Sequence, residues 1–279
     1  MTEEPSPFQK QKGRRMDFIT AFFMAWGNFI TLPCPYQKWD GKLKNLMLAM
    51  LPSVGVVVGA LFFVLMVGAE KFRLPDMVTT IVAEFYMFYI HGFMHLDGFM
   101  DCTDAIMSRR DLEERQRIMK DPTVGSFAVV MVAFLLIGWF ACFYTVASTY
   151  WTLVYAIAFI PVLSRAGAGY QVLTYKPIGH SQYVDDYEEK NRGKCRTVTL
   201  VQLALYALIY YFALYCVLRM PSDFMFRMGA IHLVTVIATA LAGSHARKQL
   251  GGMSGDIAGY SIIWGEFAGV LVAAISTAY

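Results

Sequence analysis

Long apolar blocks alternate with short polar segments along almost the whole chain. An α-helix needs about 20 mostly apolar residues to cross the hydrocarbon core of a bilayer. Seven blocks approach that length, at about 46–69, 77–96, 126–147, 150–173, 197–218, 226–244 and 258–277. The pattern predicts an all-α fold, a polytopic membrane helical bundle of about seven transmembrane helices that forms a single integral-membrane domain over 1–279.

A shorter apolar block, 18–32, precedes these spans and ends at the turn Pro33-Cys34-Pro35. It is too short to cross easily, so we expect a short N-terminal interfacial or re-entrant helix after a polar tail, 1–16. Most of the 24 Lys and Arg residues then fall in the tail and on the same side of the spans, including the loops 97–125 and 174–196. Cytoplasmic loops are enriched in Lys and Arg, so we expect a multi-pass protein of the cell (inner) membrane with these loops in the cytoplasm.

Composition agrees with a membrane protein and excludes several other classes. The 279 residues are 57% hydrophobic and 16% charged, with a mean hydropathy of +0.45. Soluble domains have about 45–50% apolar and about 25% charged residues, so soluble secreted domains and nucleic-acid binders are excluded. The five cysteines have no CxxC spacing and are read as reduced, small hydrophobic residues.

Three carboxylates follow the second span directly. Asp97, Asp101 and Asp104 fall on one face of a helix, where their like charges repel unless a cation lies among them. Mg²⁺ prefers oxygen ligands and commonly bridges to phosphate, so the cluster predicts a magnesium site. The alternative is a solvated acidic turn beyond the membrane.

Two further polar segments lie on the same predicted side. Lys120 and Asp121 end a basic stretch that suits a phosphate ligand, although the bias of cytoplasmic loops explains the basic residues equally well. The segment 251–256 opens the last span, where glycines allow a close backbone approach and free N–H groups suit an anion. Asp256 within it is a candidate fourth carboxylate, or simply a residue favourable to the helix dipole.

Charged and polar residues within spans need partners. Arg165 is expected to pair with a carboxylate of the site or to bind phosphate, with snorkelling toward the cytoplasm as the alternative. His95 points away from the carboxylate face and is expected to orient a neighbouring group. The remaining such residues are assigned to packing or interhelical hydrogen bonds; they are Glu84, His91, His232 and Glu266.

Several short motifs in this order resemble the cobalamin synthase family, also called adenosylcobinamide-GDP ribazoletransferase. The most specific is His95-Leu96-Asp97-Gly98-x-x-Asp101-x-x-Asp104. The supporting motifs are Phe29-Ile30-Thr31-Leu32-Pro33-x-Pro35, Pro52-x-x-Gly55, Ile118-Met119-Lys120-Asp121-x-x-x-Gly125, Ser164-Arg165 and Gly251-Gly252-x-Ser254-Gly255-Asp256.

The resemblance implies a Mg²⁺-dependent membrane transferase that joins adenosylcobinamide-GDP to α-ribazole or α-ribazole 5′-phosphate and releases GMP. On that basis Asp97, Asp101 and Asp256 are expected to bind the metal, and Asp104 to complete the site or to accept the hydroxyl proton. The expected phosphate and substrate contacts, with His95 orienting a reactant, are Lys120, Asp121, Arg165, Arg247, Gly252, Ser254 and Gly255. The corrinoid is expected to lie against 18–32 and 176–196.

Two other functions fit parts of the pattern. A CDP-alcohol-type lipid phosphotransferase also uses clustered aspartates, but no Asp-x-x-x-Asp follows Asp104 here. A divalent-cation or metabolite transporter also carries membrane carboxylates, but near the bilayer midplane rather than at its boundary. Expected partners are the two substrates and the lipid bilayer, without nucleic acid; a homo-oligomer or contacts with other B12-assembly enzymes are left open.

Overall fold

The computed structural model describes the backbone of residues 7–179 and 189–278, and the side chains of 16–179 and 191–278. Within these ranges the chain forms eleven α-helices. They are α1 (Pro7–Phe29), α2 (Lys44–Ala49), α3 (Leu51–Lys71), α4 (Asp76–Tyr89), α5 (Met94–Met107), α6 (Leu112–Ile118), α7 (Ser126–Thr149), α8 (Leu153–Thr174), α9 (Glu189–Phe212), α10 (Ser222–Leu250) and α11 (Gly255–Ser276). A short 3₁₀ helix, Gly41–Leu43, precedes α2, and a π-helical segment, Ala213–Val217, follows α9.

Six helices are long and apolar enough to cross a membrane, namely α3, α7, α8, α10, α11 and α9 with its π-helical extension. The bent pair α4 and α5 would be a seventh. In the described residues α1 is not among these candidates, which agrees with an N-terminal helix that does not span. The predicted all-α multi-pass bundle is confirmed.

The second predicted span, 77–96, is not a continuous helix. α4 ends at Tyr89, α5 begins at Met94, and their axes differ by 78°. Gly92 and Phe93 both adopt left-handed backbone conformations at the break, with φ of 57° and 61°. Contacts with the end of α1 fix this turn: the backbone N–H of Thr31 donates to the carbonyl of Ile90 at 2.9 Å.

The boundaries of the polar segments also differ from the prediction. Much of 97–125, expected as a loop, is helical in α5 and α6, because buried positions recur every three to four residues along α5 and pack into the bundle. α1 starts at Pro7, inside the expected tail. The predicted loop 174–196 contains the start of α9, while 180–188 lie outside the described residues.

α8 forms the centre of the bundle and is buried along most of its length. α3 packs closely against it at two glycines. A Cβ at Gly59 would lie 2.0 Å from the carbonyl oxygen of Ala158, and one at Gly55 would lie 2.5 Å from that of Pro161. Small residues let membrane helices approach closely and pack by dispersion forces. Arg165, on α8, lies buried within this core.

Candidate active site

α5 and the first turn of α11 lie in direct contact. A Cβ at Gly98 would fall 2.8 Å from the Cα of Asp256, so only glycine fits between the two backbones. Ser254 caps the start of α11, and its hydroxyl accepts a hydrogen bond from the backbone N–H of Ile257 at 3.3 Å. This packing brings Asp97 and Asp256 together although 159 positions separate them along the chain.

A cavity of about 220 Å³ lies beside this contact; we call it the α5–α11 cavity. Five of its lining residues were predicted for the site from the sequence: His95, Asp97, Arg165, Gly255 and Asp256. The others are mostly apolar and come from six helices: Asn28, Phe29, Leu48, Leu51, Met94, Ala168, Val172, Ala258, Gly259 and Ile262. The cavity therefore combines charged side chains with a mostly apolar lining.

Asp101 adds a third carboxylate one turn from Asp97. The negative charges of Asp97, Asp256 and Asp104 all act on it, which means that the four carboxylates share one electrostatic environment. Such a group of like charges favours a bound cation. Among the described residues, no three His, Cys, Asp or Glu side chains already stand in a metal-binding arrangement, so these carboxylates would have to converge on an ion.

Asp104 is turned toward α7. One carboxylate oxygen accepts the backbone N–H of Gly125 at 2.7 Å and the other accepts that of Ala128 at 3.0 Å. These are free N–H groups at the start of α7, so Asp104 satisfies them and complements the helix dipole. It is buried, and a Cβ on Gly125 would lie 2.5 Å from it. Its expected part in the metal site remains a prediction.

Arg165 is buried with only 1% of its surface exposed. Its Nη1 donates to Glu266 Oε1 at 2.5 Å and also contacts the hydroxyl of Ser164. Its Nη2 is bonded to Nε2 of His91. The pairing expected from the sequence is therefore present, but the partner is Glu266 of α11 rather than one of the clustered aspartates.

Lys120 and Asp121 lie in the turn between α6 and α7 and are both exposed. Asp121 accepts hydrogen bonds from the hydroxyl of Thr123 at 2.5 Å and from its backbone N–H at 2.9 Å. These bonds hold the pKa of Asp121 below its usual range. Neither Lys120 nor Asp121 is among the described residues that line the α5–α11 cavity.

The segment before α11 is held against the end of α8. Met253 forms an isolated β-bridge with Pro177, and a Cβ at Gly252 would lie 2.8 Å from the backbone nitrogen of Ile178. Arg247 lies over the ring of Tyr175 at 4.0 Å. Gly252 and Arg247 thus shape the wall behind Ser254 and Gly255, while Gly255 itself reaches the cavity.

Asn28, Glu266 and His91 were not predicted for the site. Asn28 lines both the α5–α11 cavity and a second, open cavity of about 440 Å³ formed with residues 30–39. An isolated polar residue in the otherwise apolar block 18–32 was the available signal for Asn28. For Glu266 and His91 the sequence predicts packing or interhelical hydrogen bonds, and both side chains are hydrogen-bonded to Arg165 of α8.

A family model described as cobalamin-5-phosphate synthase matches residues 21–274, most of the chain. The chain belongs to the cobalamin-5-phosphate synthase family. A relative from Clostridium perfringens (strain 13), named adenosylcobinamide-GDP ribazoletransferase, is 33% identical over 263 residues, which cover 92% of this chain and 98% of the relative. Relatives of the same name from Clostridium botulinum (strain Alaska E43) and Geobacillus kaustophilus are 30% and 29% identical, covering 94% and 88% of this chain and 99% and 91% of their own lengths.

No solved structure matches the chain. The resemblance drawn from the motifs is confirmed, and this member of the cobalamin-5-phosphate synthase family is a transferase of cobalamin synthesis. The relatives described here support neither the CDP-alcohol phosphotransferase nor the transporter alternative.

Proposed function

We propose that the chain joins adenosylcobinamide-GDP to α-ribazole or α-ribazole 5′-phosphate at the α5–α11 cavity and releases GMP. The names of the relatives support the substrates. One observation supports the α5–α11 cavity as the active site. Asp97 and Asp256, from segments far apart in the sequence, line it together with Arg165. A pyrophosphate donor needs both negative ligands for a metal and positive groups for its own oxygens.

The reaction is a phosphoryl transfer. The ribazole hydroxyl oxygen forms a bond to the phosphorus attached to cobinamide, the bond from that phosphorus to the GMP oxygen breaks, and the hydroxyl proton is released. Little covalent chemistry is asked of the protein, so positioning and charge neutralisation dominate. His95, which is buried in the cavity wall, orients the attacking hydroxyl, and Arg165 holds a phosphate oxygen.

The residues present suit Mg²⁺ by their chemistry. Asp97, Asp101 and Asp256 offer only carboxylate oxygens, the donors that this ion prefers, and their mutual repulsion is relieved by a divalent cation. A bound Mg²⁺ would neutralise charge on the phosphates. We leave Asp104 out of this ligand set because both of its oxygens already accept backbone N–H groups of α7.

The remaining contacts are assigned by position. Gly255 and the free N–H groups at the start of α11 meet a phosphate at the cavity wall, with Ser254 capping that helix. Lys120, Asp121 and Arg247 lie outside the described lining of the cavity and would meet the part of the substrate that extends toward the cytoplasm. We place the cavity on the cytoplasmic side of the inner membrane, since the predicted cytoplasmic loops flank it.

The test compares three substitutions with one control. Asp97→Asn, Asp101→Asn and Asp256→Asn should each lower GMP release from adenosylcobinamide-GDP by about 10²-fold or more, because each weakens binding of the Mg²⁺ that would neutralise charge in the transition state. Each should also need more Mg²⁺ for half-maximal rate. Asp223→Asn is the matched control, since Asp223 is an exposed first-turn residue at the far end of α10. Near-normal turnover in all three variants would refute the assignment.

A further inference from the structure

Arg165 is the only charged residue of α8, the most buried span among the described helices. Three side chains surround its guanidinium: Glu266 on α11, His91 in the break between α4 and α5, and the neighbouring Ser164 of α8 itself. Glu266 Oε1 also accepts the hydroxyl of Ser164 at 2.8 Å. The guanidinium is therefore fixed from two sides rather than held by one ion pair.

The donor and acceptor roles in this group can be assigned. Arginine has only donors and keeps its charge, so Nε2 of His91 must accept from Arg165. The other ring nitrogen, Nδ1, then carries the proton and donates to the carbonyl of Phe29 at 2.6 Å. His91 is neutral in this arrangement and connects the end of α1 to Arg165.

One donor of the guanidinium is left over. Nε of Arg165 is buried and has no hydrogen-bond partner among the described residues. A buried donor without a partner is costly and calls for an explanation, such as a functional role or a bound water or ion. Arg165 lines the α5–α11 cavity together with Asp97 and Asp256, and an acceptor bound in that cavity would lie beside its guanidinium.

We propose that Glu266 and His91 are positioning residues that hold Arg165 so that its Nε–H is available to a phosphate oxygen of the substrate in the α5–α11 cavity. The inference deepens the proposed function and rests on it. Glu266 holds Nη1 of the guanidinium and His91 holds Nη2, so the group is kept from rotating toward the carboxylates proposed to bind the metal. The substrate phosphate would complete the hydrogen bonding of Arg165 and lie between it and Asp97.

An ion pair that served only to stabilise the bundle would behave differently. Replacing both members of a buried pair by neutral residues of similar size is often tolerated, whereas removing one member leaves an uncompensated buried charge. The double variant Arg165→Gln/Glu266→Gln removes both charges together. The two glutamine side chains can replace a pair that only stabilises the bundle. They cannot replace the contact of the Arg165 guanidinium with a phosphate, so the variant separates the two roles.

The experiment uses the full chain in lipid nanodiscs. Binding of adenosylcobinamide-GDP is followed without Mg²⁺ by the visible absorbance of the corrin ring, and turnover is followed with Mg²⁺ by GMP release. The double variant should fold, with a thermal transition close to that of the wild type. It should bind the substrate about 10- to 100-fold more weakly, because this is the affinity that one hydrogen bond to a charged group usually contributes. Arg227→Gln, at the far end of α10, is the matched control and should bind normally.

His91 supplies the second arm. His91→Gln keeps an acceptor for Arg165 and a donor for Phe29, so it should retain substrate affinity, whereas His91→Leu should raise KM about tenfold with a smaller change in kcat. A folded double variant with wild-type affinity, or equal KM in His91→Leu and wild type, would overturn the inference. A wild-type protein that neither binds nor converts the substrate would instead overturn the proposed function.

Discussion

Asp97 and Asp104 lie two turns apart on α5, yet their carboxylates meet different surroundings. Asp97 is exposed and lines the α5–α11 cavity, while Asp104 is buried and accepts two backbone N–H groups at the start of α7. Their spacing in the sequence is equally suited to a shared metal site. The difference comes from the start of α7, whose backbone N–H groups reach Asp104.

Substitution of Asp104 should therefore affect stability before chemistry. In Asp104→Asn the amide offers a single acceptor oxygen, so one buried N–H of α7 loses its partner and the favourable charge at the helix start is lost. We expect a loss of about 1–2 kcal/mol in the free energy of unfolding, with most of the activity of the folded protein retained. Thermal unfolding in detergent, with Asp121→Asn as the exposed control, measures it. Loss of activity at unchanged stability would return Asp104 to the catalytic site.

The sequence predicted the charged residues of the candidate site but not the residues that form hydrogen bonds to them and fix their positions. Asp97, His95, Arg165 and Asp256 reach one cavity as expected. Glu266 was not predicted as the partner of Arg165, because helical periodicity shows which residues share a face of one helix but not which faces meet between helices. That information lies in the packing of α8 against α11 and is not present in any local pattern.

At the scale of elements, the contact between α5 and α11 decides whether the site forms. It depends on Gly98, whose missing Cβ leaves room for the backbone of Asp256. The length and polarity of the apolar blocks predicted most helices correctly. The break between α4 and α5 was missed, because a single glycine, Gly92, inside a 20-residue apolar block does not distinguish a kink from a continuous span.

The contact can be tested by adding one methyl group. Gly98→Ala should push α11 away from α5, lower stability by about 1–3 kcal/mol and reduce turnover, since overpacking forces backbone shifts. Gly229→Ala is the control: a Cβ there meets nothing within 4 Å, so it should be neutral or stabilising, as expected for alanine in a helix. Both are measured by thermal unfolding and GMP release. Equal behaviour of the two variants would contradict the proposed role of the contact.

At the scale of the whole molecule, the ends of the helices divide into two sets. The α5–α11 cavity, α6 and the starts of α7 and α11 lie at one end of the bundle, while the turn between α3 and α4 lies at the other. The excess of Lys and Arg on the first set is why we propose that this end faces the cytoplasm. The number of spans and the side of the membrane on which each loop lies could be predicted, because hydropathy and charge are both read directly from the sequence.

Cysteine labelling tests this orientation. In a background without the accessible Cys34 and Cys216, Glu113→Cys on α6 should react with a membrane-impermeant maleimide in inverted membrane vesicles but not in right-side-out ones. Lys71→Cys, exposed at the end of α3, should show the opposite pattern. Labelling of both positions from the same side would contradict the topology.

The turn between α4 and α5 also has a consequence for how the protein is assembled. Its carbonyl groups at Tyr89 and Ile90 are satisfied by Thr31, and His91 is held by Phe29, so the chain end of α1 supplies partners that lipid cannot. α1 therefore completes these contacts only after residue 93 has been synthesised. Docking of the end of α1 and insertion of the turn are thus coupled steps of biogenesis.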